Sequence, residues 1–202
     1  MKKEINWKKI KTKALAALIY QHLKNDGIDA VLVGGSCVTI YSKNKYVSQD
    51  LDYATHSDNI EIKHSLAKLG FIHRGKYFQH PKCEFLIDFV ASSVFIGEEI
   101  IKDKDFNRMK TKYGTFKLLS TEDCVKDRLA GFFYWSDRQS LEQAIIVCLD
   151  NKVRIKKIRE WASAEKQEKK FLQFEEELKK AKAQTKRKHR EHRGVLRRKK
   201  EF

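Results

Sequence analysis

The sequence is poor in residues that interrupt or link chain segments. Its 202 residues include one proline, Pro81, and nine glycines, and no low-complexity linker is present. The four cysteines are far apart and form no C-x-x-C pair, which argues against a zinc site or a redox motif. No apolar run approaches the roughly 20 residues that span a bilayer, and no signal peptide is recognisable. We therefore expect a cytoplasmic protein with reduced cysteines and no membrane contact.

Negative charge is scarce in the last quarter of the chain. Residues 151–202 contain 20 Lys or Arg against 8 Asp or Glu, which accounts for +12 of the total net charge of +16. Such a segment attracts polyanions, of which nucleic acid is the commonest, although an anionic membrane surface is also physically possible. The charge distribution therefore predicts a polyanionic partner without identifying it.

Apolar periodicity predicts a first half of mixed secondary structure. We expect helices over residues 8–25 and 59–69, a short helix after Gly34-Gly35-Ser36, and strands over residues 30–33, 51–54, 71–74, 77–80 and 85–90. Helices and strands in this arrangement are typical of an α+β or α/β fold.

The second half is predicted to be helical. Ser120 with Asp123, and Ser136 with Gln139, have the spacing of an N-cap and its third helical residue, so helices are expected over residues 121–134 and 137–150. A third helical stretch begins near Arg154. The large aromatic residues of this half are interpreted as core: Phe132, Phe133, Trp135 and Trp161. We expect a catalytic domain over residues 1–119, a helical domain over 120–182, and a basic, flexible tail over 183–202.

Three aspartates are the candidate catalytic residues. Asp50 and Asp52, separated by Leu51 on a predicted strand, point to the same face of a sheet and can bind hard cations through oxygen. Asp88 ends the apolar run Phe85-Leu86-Ile87, where an adjacent strand would bring it beside the pair. Three carboxylates at one point repel one another unless a metal ion neutralises them.

A glycine turn precedes the aspartates. Gly34 and Gly35 allow the backbone to approach a phosphate at the start of a helix, and Ser36 adds a hydroxyl group. A phosphate-binding turn together with clustered carboxylates is suited to metal-assisted attack on a nucleotide phosphorus atom.

Gly34-Gly35-Ser36 followed by Ser48-Gln49-Asp50-Leu51-Asp52 and a later Asp88 resembles the polymerase beta superfamily of nucleotidyltransferases. Within it, the sequence is most similar to minimal bacterial AbiEii-like enzymes. The resemblance implies a nucleotidyltransferase fold, in which helices flank a mixed sheet and a helical C-terminal part and the basic tail follow. It also implies transfer of NMP from an NTP to an acceptor.

The resemblance further implies roles for individual residues. Asp50, Asp52 and Asp88 would be catalytic and would hold two Mg²⁺ ions. The nucleotide would be bound by Gly34, Gly35, Ser36, Ser48 and Lys126, the last lying in Asp123-Cys124-Val125-Lys126-Asp127-Arg128-Leu129.

Three functions remain open from the sequence. The first is an enzyme that modifies RNA, most plausibly tRNA, bound by the basic C-terminal segment, with the resemblance adding a toxin role and an antitoxin partner. The second is a non-catalytic RNA-binding or nucleotide-sensing protein on the same fold. The third is a transferase that acts on a small molecule or a protein.

Overall fold

The structure, a computed structural model, describes residues 5–198, and their side chains as far as residue 187. The helices are α1 (Thr12–Asn25), α2 (Gly34–Tyr41), α3 (Asn59–Ala67), α4 (Thr121–Trp135), α5 (Arg138–Asp150), α6 (Ile155–Ala164) and α7 (Glu168–Arg198). The strands are β1 (Ala30–Val33), β2 (Asp50–Thr55), β3 (Ile72–Arg74), β4 (Tyr77–Gln79), β5 (Leu86–Ala91), β6 (Phe95–Ile96), β7 (Glu99–Ile100), β8 (Asn107–Thr111) and β9 (Gly114–Leu118).

Seven strands form one mixed sheet in the order β3-β4-β5-β2-β1-β9-β8, while β6 and β7 form a separate hairpin. At the centre of the sheet, β2 lies antiparallel to β1 and parallel to β5. Helices and strands are thus combined as the α+β prediction requires, and helices alone follow the last strand. The mixed sheet flanked by helices is confirmed.

Alternation along β2 separates a buried face from a polar face. Leu51 and Tyr53 are fully buried, and the hydroxyl of Tyr53 donates to the carbonyl of Ala16 in α1 at 3.0 Å. Because side chains alternate along a strand, Asp50 and Asp52 lie on the opposite face. The apolar face of β2 therefore contacts α1 through Tyr53, and Asp50 and Asp52 lie on the face that points away from α1.

The hydrophobic core continues from the sheet into the helical half. Tyr53 and Phe116 of the sheet belong to the same cluster of buried residues as Phe133 of α4 and Phe174 of α7. The sheet and the first part of α7 therefore pack around one continuous core. The domain boundary at residues 119 and 120 stays a prediction.

One predicted helix cap is present and the other is replaced. The hydroxyl of Ser120 accepts a hydrogen bond from the Asp123 amide at 3.1 Å, as its spacing predicted. The prediction for Ser136 is wrong, since this residue ends α4 in a left-handed conformation, with φ of 55°. Asp137 caps α5 instead, and its carboxylate accepts from the amide of Gln139 at 2.9 Å.

The third helical stretch is divided into α6 and α7. Lys166 adopts φ of 57°, and the amide of Gln167 donates to the carbonyl of Ala162 at 2.8 Å, which closes α6. Glycine usually occupies such a position, so the sequence contained no strong signal for the break.

The backbone of α7 is helical to Arg198, whereas composition predicted a tail without regular structure from residue 183. Residues 199–202 of that predicted tail lie outside the described part of the chain. Among the described helices, none combines the length and the apolar composition needed to cross a bilayer.

Four strands between residues 92 and 119 were not predicted. Of these, β9 lies parallel to β1 and carries the buried Phe116, while β8 completes the sheet edge. The hairpin of β6 and β7 packs on α4. Two of these strands have only two residues, and β8 and β9 contain few apolar residues, so their apolar alternation is too weak to detect.

Candidate active site

The three predicted acids lie on neighbouring parallel strands. Asp52 of β2 is directly opposite Asp88 of β5 in the strand register, and Asp50 precedes Asp52 on the same face. On the other face of these strands, Tyr53 and Phe89 stack with their ring centroids 5.7 Å apart. The register of β2 and β5 therefore brings all three carboxylates to one side of the sheet.

The pKa of Asp52 is evidence that negative charge is concentrated here. Burial raises this pKa from 3.8 to about 6, and the charges of Asp50 and Asp88 add to the effect. Arg128 and Lys76 act in the opposite direction without cancelling it. The positive charges of Arg128 and Lys76 therefore do not offset burial and the two neighbouring carboxylates at Asp52.

Other residues already hold two of the acids. The hydroxyl of Ser48 donates to Oδ1 of Asp50 at 2.6 Å. Oδ1 of Asp88 accepts from the backbone amide of Phe89 at 2.8 Å, and its Oδ2 lies 3.3 Å from Nζ of Lys76. Ser48, predicted to bind nucleotide, thus contacts a carboxylate and fixes its orientation.

The predicted glycine turn packs against the acids. Gly34 begins α2 with φ of 64°, and a side chain there would collide with Oδ2 of Asp52. A Cβ atom on Gly35 would lie 2.9 Å from Oγ of Ser48. Gly34 therefore requires glycine because of its positive φ and its contact with Asp52, while Gly35 leaves room for the hydroxyl of Ser48.

Ser36 connects the turn to the acid strand. Its side chain is fully buried, and its hydroxyl donates to the backbone carbonyl of Asp50 at 2.6 Å. Among the described side chains, none accepts a hydrogen bond from the first amides of α2. The helix start thus keeps backbone donors beside the carboxylates, where a phosphate would need them.

The structure does not place Lys126 among the strongest influences on the acids. Its Nζ lies 2.6 Å from Oε2 of Glu99 and 3.3 Å from Oδ1 of Asp123, and its side chain is buried. The four charges that most affect the pKa of Asp52 are those of Asp50, Asp88, Arg128 and Lys76. Binding of a triphosphate by Lys126 stays a prediction, and it would require the lysine to leave two carboxylates.

Two cations near the acids have no clear signal in the sequence. Lys76 lies in the turn between β3 and β4, and no local motif marks it. Arg128 has the sequence context of a solvated helix residue. Its side chain is half-buried, and its guanidinium donates to Oδ2 of Asp127 at 2.6 Å and to Oε1 of Gln143 at 3.3 Å. The half-buried position and its effect on Asp52 are visible only in the tertiary structure.

The chemistry of the acid cluster fits Mg²⁺, although the acids are not preassembled around an ion. Carboxylate oxygens are the ligands that Mg²⁺ prefers, and Asp52 has uncompensated negative neighbours. Within the residues whose side chains are described, no three Asp, Glu, His or Cys side chains converge on one ion position. Asp50 and Asp88 are instead held by Ser48 and Lys76, so shared ligation requires their carboxylates to turn.

A cleft of about 610 Å³ lies between the β6–β7 hairpin and helices α4 and α5, and Arg128 is among its lining residues. Trp135 at the end of α4 is 77% exposed beside this cleft, so the prediction that it belongs to the core is wrong. Phe132, Phe133 and Trp161 are buried as predicted. Trp135 is the last residue of α4, and its side chain lies outside the core.

The described part of α7 has an apolar face and a basic face. Phe171, Phe174 and Leu178 are buried against the helical half. Lys179, Lys182 and Lys186 line a groove of about 450 Å³ beside Ile155. The basic segment predicted from composition therefore forms a helical surface from which lysines project.

Comparison with known proteins shows the fold and no closer relationship. No known protein family matches the sequence, and neither does any curated protein. Among solved structures, a nucleotidyltransferase-like antigenic protein from Paracoccidioides brasiliensis is similar with a TM-score of 0.50 and 14% identity, over 67% of this chain and 74% of that one.

A second similar structure is ANT(2")-Ia in complex with adenylyl-2"-tobramycin. It has a TM-score of 0.50 and 13% identity, over 75% of this chain and 95% of that one. A solution structure of the same antibiotic-resistance factor has equal values for 83% of this chain and 99% of that one. Since these matches cover 67–83% of this chain, the chain has the nucleotidyltransferase fold.

Proposed function

We propose that this protein is a Mg²⁺-dependent nucleotidyltransferase that moves NMP from an NTP to RNA, with tRNA as the acceptor. The observation that carries the proposal is the alignment of Asp52 with Asp88, beside Asp50, in the parallel pair β2–β5. The raised pKa of Asp52 supports it, because burial and the charges of Asp50 and Asp88 disfavour the ionised carboxylate, which a bound cation would stabilise.

Each acid has a role in this proposal. Asp50 and Asp52 hold both Mg²⁺ ions, with Ser48 fixing the orientation of Asp50. Asp88 would accept the proton of the acceptor hydroxyl as this hydroxyl attacks the α-phosphorus and pyrophosphate leaves, or it would be the metal ligand nearest the hydroxyl. When bound, Mg²⁺ supplies Lewis acid chemistry that stabilises negative charge on the phosphates.

The glycine turn binds the triphosphate. Gly34, Gly35 and Ser36 contribute backbone amides at the start of α2, where the helix dipole favours an anion. Arg128 contributes positive charge on the same side, since it already acts on Asp52. Lys126 also contacts the triphosphate if the bound NTP attracts the ammonium away from Glu99 and Asp123.

The acceptor is assigned from charge. The exposed lysines of α7 form a basic surface suited to the phosphate backbone of RNA. The similar ANT(2")-Ia structure is a complex with an adenylylated antibiotic, tobramycin, but that similarity extends to the fold alone. A strongly basic chain suits a polyanion better than a cationic antibiotic.

The finer assignments rest on the sequence resemblance. They are the AbiEii-like type, the toxin role, an antitoxin partner and a cytoplasmic location. Each stays a prediction, and a gene for a small regulator next to the gene for this protein would support the toxin role.

The decisive experiment measures incorporation of each α-labelled NTP into total tRNA in the presence of Mg²⁺. We expect one nucleotide to label RNA with the wild type, and Asp50→Ala and Asp52→Ala to reduce labelling by about 10³-fold or more, because the metal ligands are lost. Asp105→Ala, which removes an exposed acid from a short helical turn outside the cluster, is the matched control and should label RNA as the wild type does.

Other outcomes identify the alternatives. Labelling of an aminoglycoside or a protein without labelling of tRNA would contradict RNA as the acceptor and retain the enzyme. RNA binding without turnover of any NTP on any acceptor would contradict the enzyme and favour the non-catalytic protein.

A further inference from the structure

Lys76 lies where the solvent meets the acid cluster. It occupies the turn between β3 and β4, directly after Gly75, and its side chain is 67% exposed. Its Nζ reaches Oδ2 of Asp88, whose side chain is only 9% exposed, at 3.3 Å. A largely exposed cation therefore contacts the most buried of the three acids.

Oδ2 is the oxygen through which Asp88 would act. Oδ1 accepts a hydrogen bond from the amide of Phe89, within the same strand. Oδ2 is paired with Lys76 instead. A metal ion or an acceptor hydroxyl that approaches Oδ2 from the side of Lys76 would therefore compete with the ammonium for this oxygen.

Lys76 can leave Asp88 when another cation compensates the buried carboxylate. Its ammonium, on a side chain that is 67% exposed, returns to water, so the cost of separation falls on Asp88 and a metal ion at Oδ2 would offset it. The ammonium also lies 4.6 Å from the ring centroid of Tyr77, so a second favourable contact is available next to the pair.

Positive charge beside Asp88 also serves a polyanionic acceptor. Three carboxylates on one face repel the phosphates of an approaching RNA strand. Lys76 and the exposed Arg74 lie on the same hairpin at this edge of the sheet. Of the two, Lys76 is the one in contact with an acid of the cluster.

We propose that Lys76 alternates between two partners. It neutralises Asp88 while the acids bind no metal ion, and it contacts a backbone phosphate of the acceptor RNA once a metal ion has taken its place at Oδ2. Lys76 is then a positioning residue that makes metal binding and acceptor binding depend on each other. The second half of this inference rests on the proposed function, while the first half does not.

The first test measures Mn²⁺ binding to the full chain without NTP, by titration calorimetry or by the electron spin resonance signal of free Mn²⁺. Lys76→Met should tighten Mn²⁺ binding about twofold to fivefold, since the competing cation is removed. Arg74→Met removes the same charge from the same hairpin and measures the general electrostatic effect. An equal response of both variants would overturn the competition.

The second test measures the affinity of labelled tRNA by fluorescence anisotropy at several salt concentrations, with Mg²⁺ present. Lys76→Met should weaken binding and lower the slope of log affinity against log salt by about one, as for a lost phosphate contact. Lys76→Arg should restore the slope.

The two tests separate this inference from the proposed function. An unchanged slope in Lys76→Met would overturn the phosphate contact even if Mn²⁺ binding tightens. If instead no acceptor receives NMP from the wild type, the proposed function fails while the competition for Asp88 is still decided by the Mn²⁺ titration.

Discussion

Two pairs of residues with the same sequence spacing behave in opposite ways in this protein. Asp50 and Asp52, two positions apart on β2, share one face of the sheet. Lys126 and Arg128, two positions apart on α4, have separate environments: Lys126 pairs with Glu99 and Asp123, whereas Arg128 acts on Asp52. The difference follows from geometry, because successive residues rotate by half a turn along a strand and by about 100° along a helix.

This comparison shows why the positions of the acids could be predicted from sequence more readily than the position of a cation near them. On a strand, two acids at alternate positions always lie on the same face. An acid on the neighbouring strand can then join them on that face. On a helix, two basic residues at this spacing point in different directions, and the sequence does not tell which direction faces the site.

Substitution of Gly34 tests the strand side of the comparison and should have the largest effect. Gly34→Ala brings a methyl group against Oδ2 of Asp52. We expect NMP transfer to fall by about 100-fold because the acid is displaced. The rate of labelling under saturating NTP is the measurement.

Gly27→Ala is the matched control for this variant. Gly27 also has a positive φ, of 82°, but a Cβ atom there would meet no other atom within 4 Å. It should cost roughly 1 kcal/mol of stability from backbone strain and leave transfer unchanged. Equal losses of transfer in both variants would mean that strain, and not contact with Asp52, explains the Gly34 effect.

The helix side of the comparison is tested by removing each cation of α4. Arg128→Met should raise the KM for NTP by about tenfold, as for a lost charge-assisted hydrogen bond to phosphate. Lys126→Met should change this KM less than about twofold and act mainly on thermal stability, since it leaves Glu99 and Asp123 without their partner.

Arg128→Lys keeps the positive charge and should raise the KM for NTP less than Arg128→Met does. This variant therefore distinguishes the loss of charge from a folding defect. The opposite ranking, with the larger KM effect at Lys126, would show that this lysine leaves its carboxylates for the triphosphate. The contrast between the two helix positions would then hold only for the protein without nucleotide.

The smallest effect is expected on stability, when Asp52 is neutralised in the absence of metal ions, and its sign is opposite to the effect of the same substitution on catalysis. Without metal ions, Asp52→Asn should raise the free energy of unfolding at pH 7 by about 1–2 kcal/mol, because a carboxylate whose pKa is raised is destabilising when ionised. Denaturant melts in chelator measure this difference.

The pH dependence of that difference follows from the raised pKa of Asp52. Between the unfolded value of 3.8 and the folded value of about 6, the folded wild type binds a proton more readily than the unfolded chain. The contribution of the Asp52 carboxyl group to the free energy of unfolding of the wild type is therefore present at pH 4 and is lost as the pH rises through 6. The advantage of Asp52→Asn should shrink to near zero at pH 4, and a constant advantage would show that charge is not its cause.

Much of the sheet centre could be predicted because local patterns and the final structure agree there. The apolar run of β1, the glycine turn and the alternation of β2 each favour one local conformation. Asp88 could be placed because it follows an apolar run that forms a strand of its own. The N-cap of α4 at Ser120 was predicted for the same reason, since a capping hydrogen bond is made within one helical turn.

Elements whose conformation depends on distant contacts were missed. Lys166 takes a left-handed conformation without being glycine, and the chain breaks into α6 and α7 at that point. The hairpin of β6 and β7 is stabilised by a contact with α6, in which the indole of Trp161 donates to the carbonyl of Ile96 at 3.2 Å. Neither feature has a local pattern strong enough to be recognised.

By itself, the sequence determined the residue types of the site and the conformations of the segments that carry them: acids at alternate strand positions, a glycine turn before a helix, and a basic final segment. The tertiary structure alone decided which charges meet. It placed Lys76 on Asp88, gave the charge of Arg128 a larger effect on Asp52 than that of Lys126, and left Trp135 exposed. The physical reason is that strand and turn conformation follow from short-range sterics and hydrogen bonds, whereas contacts between charges depend on how strands register and helices rotate around a shared core.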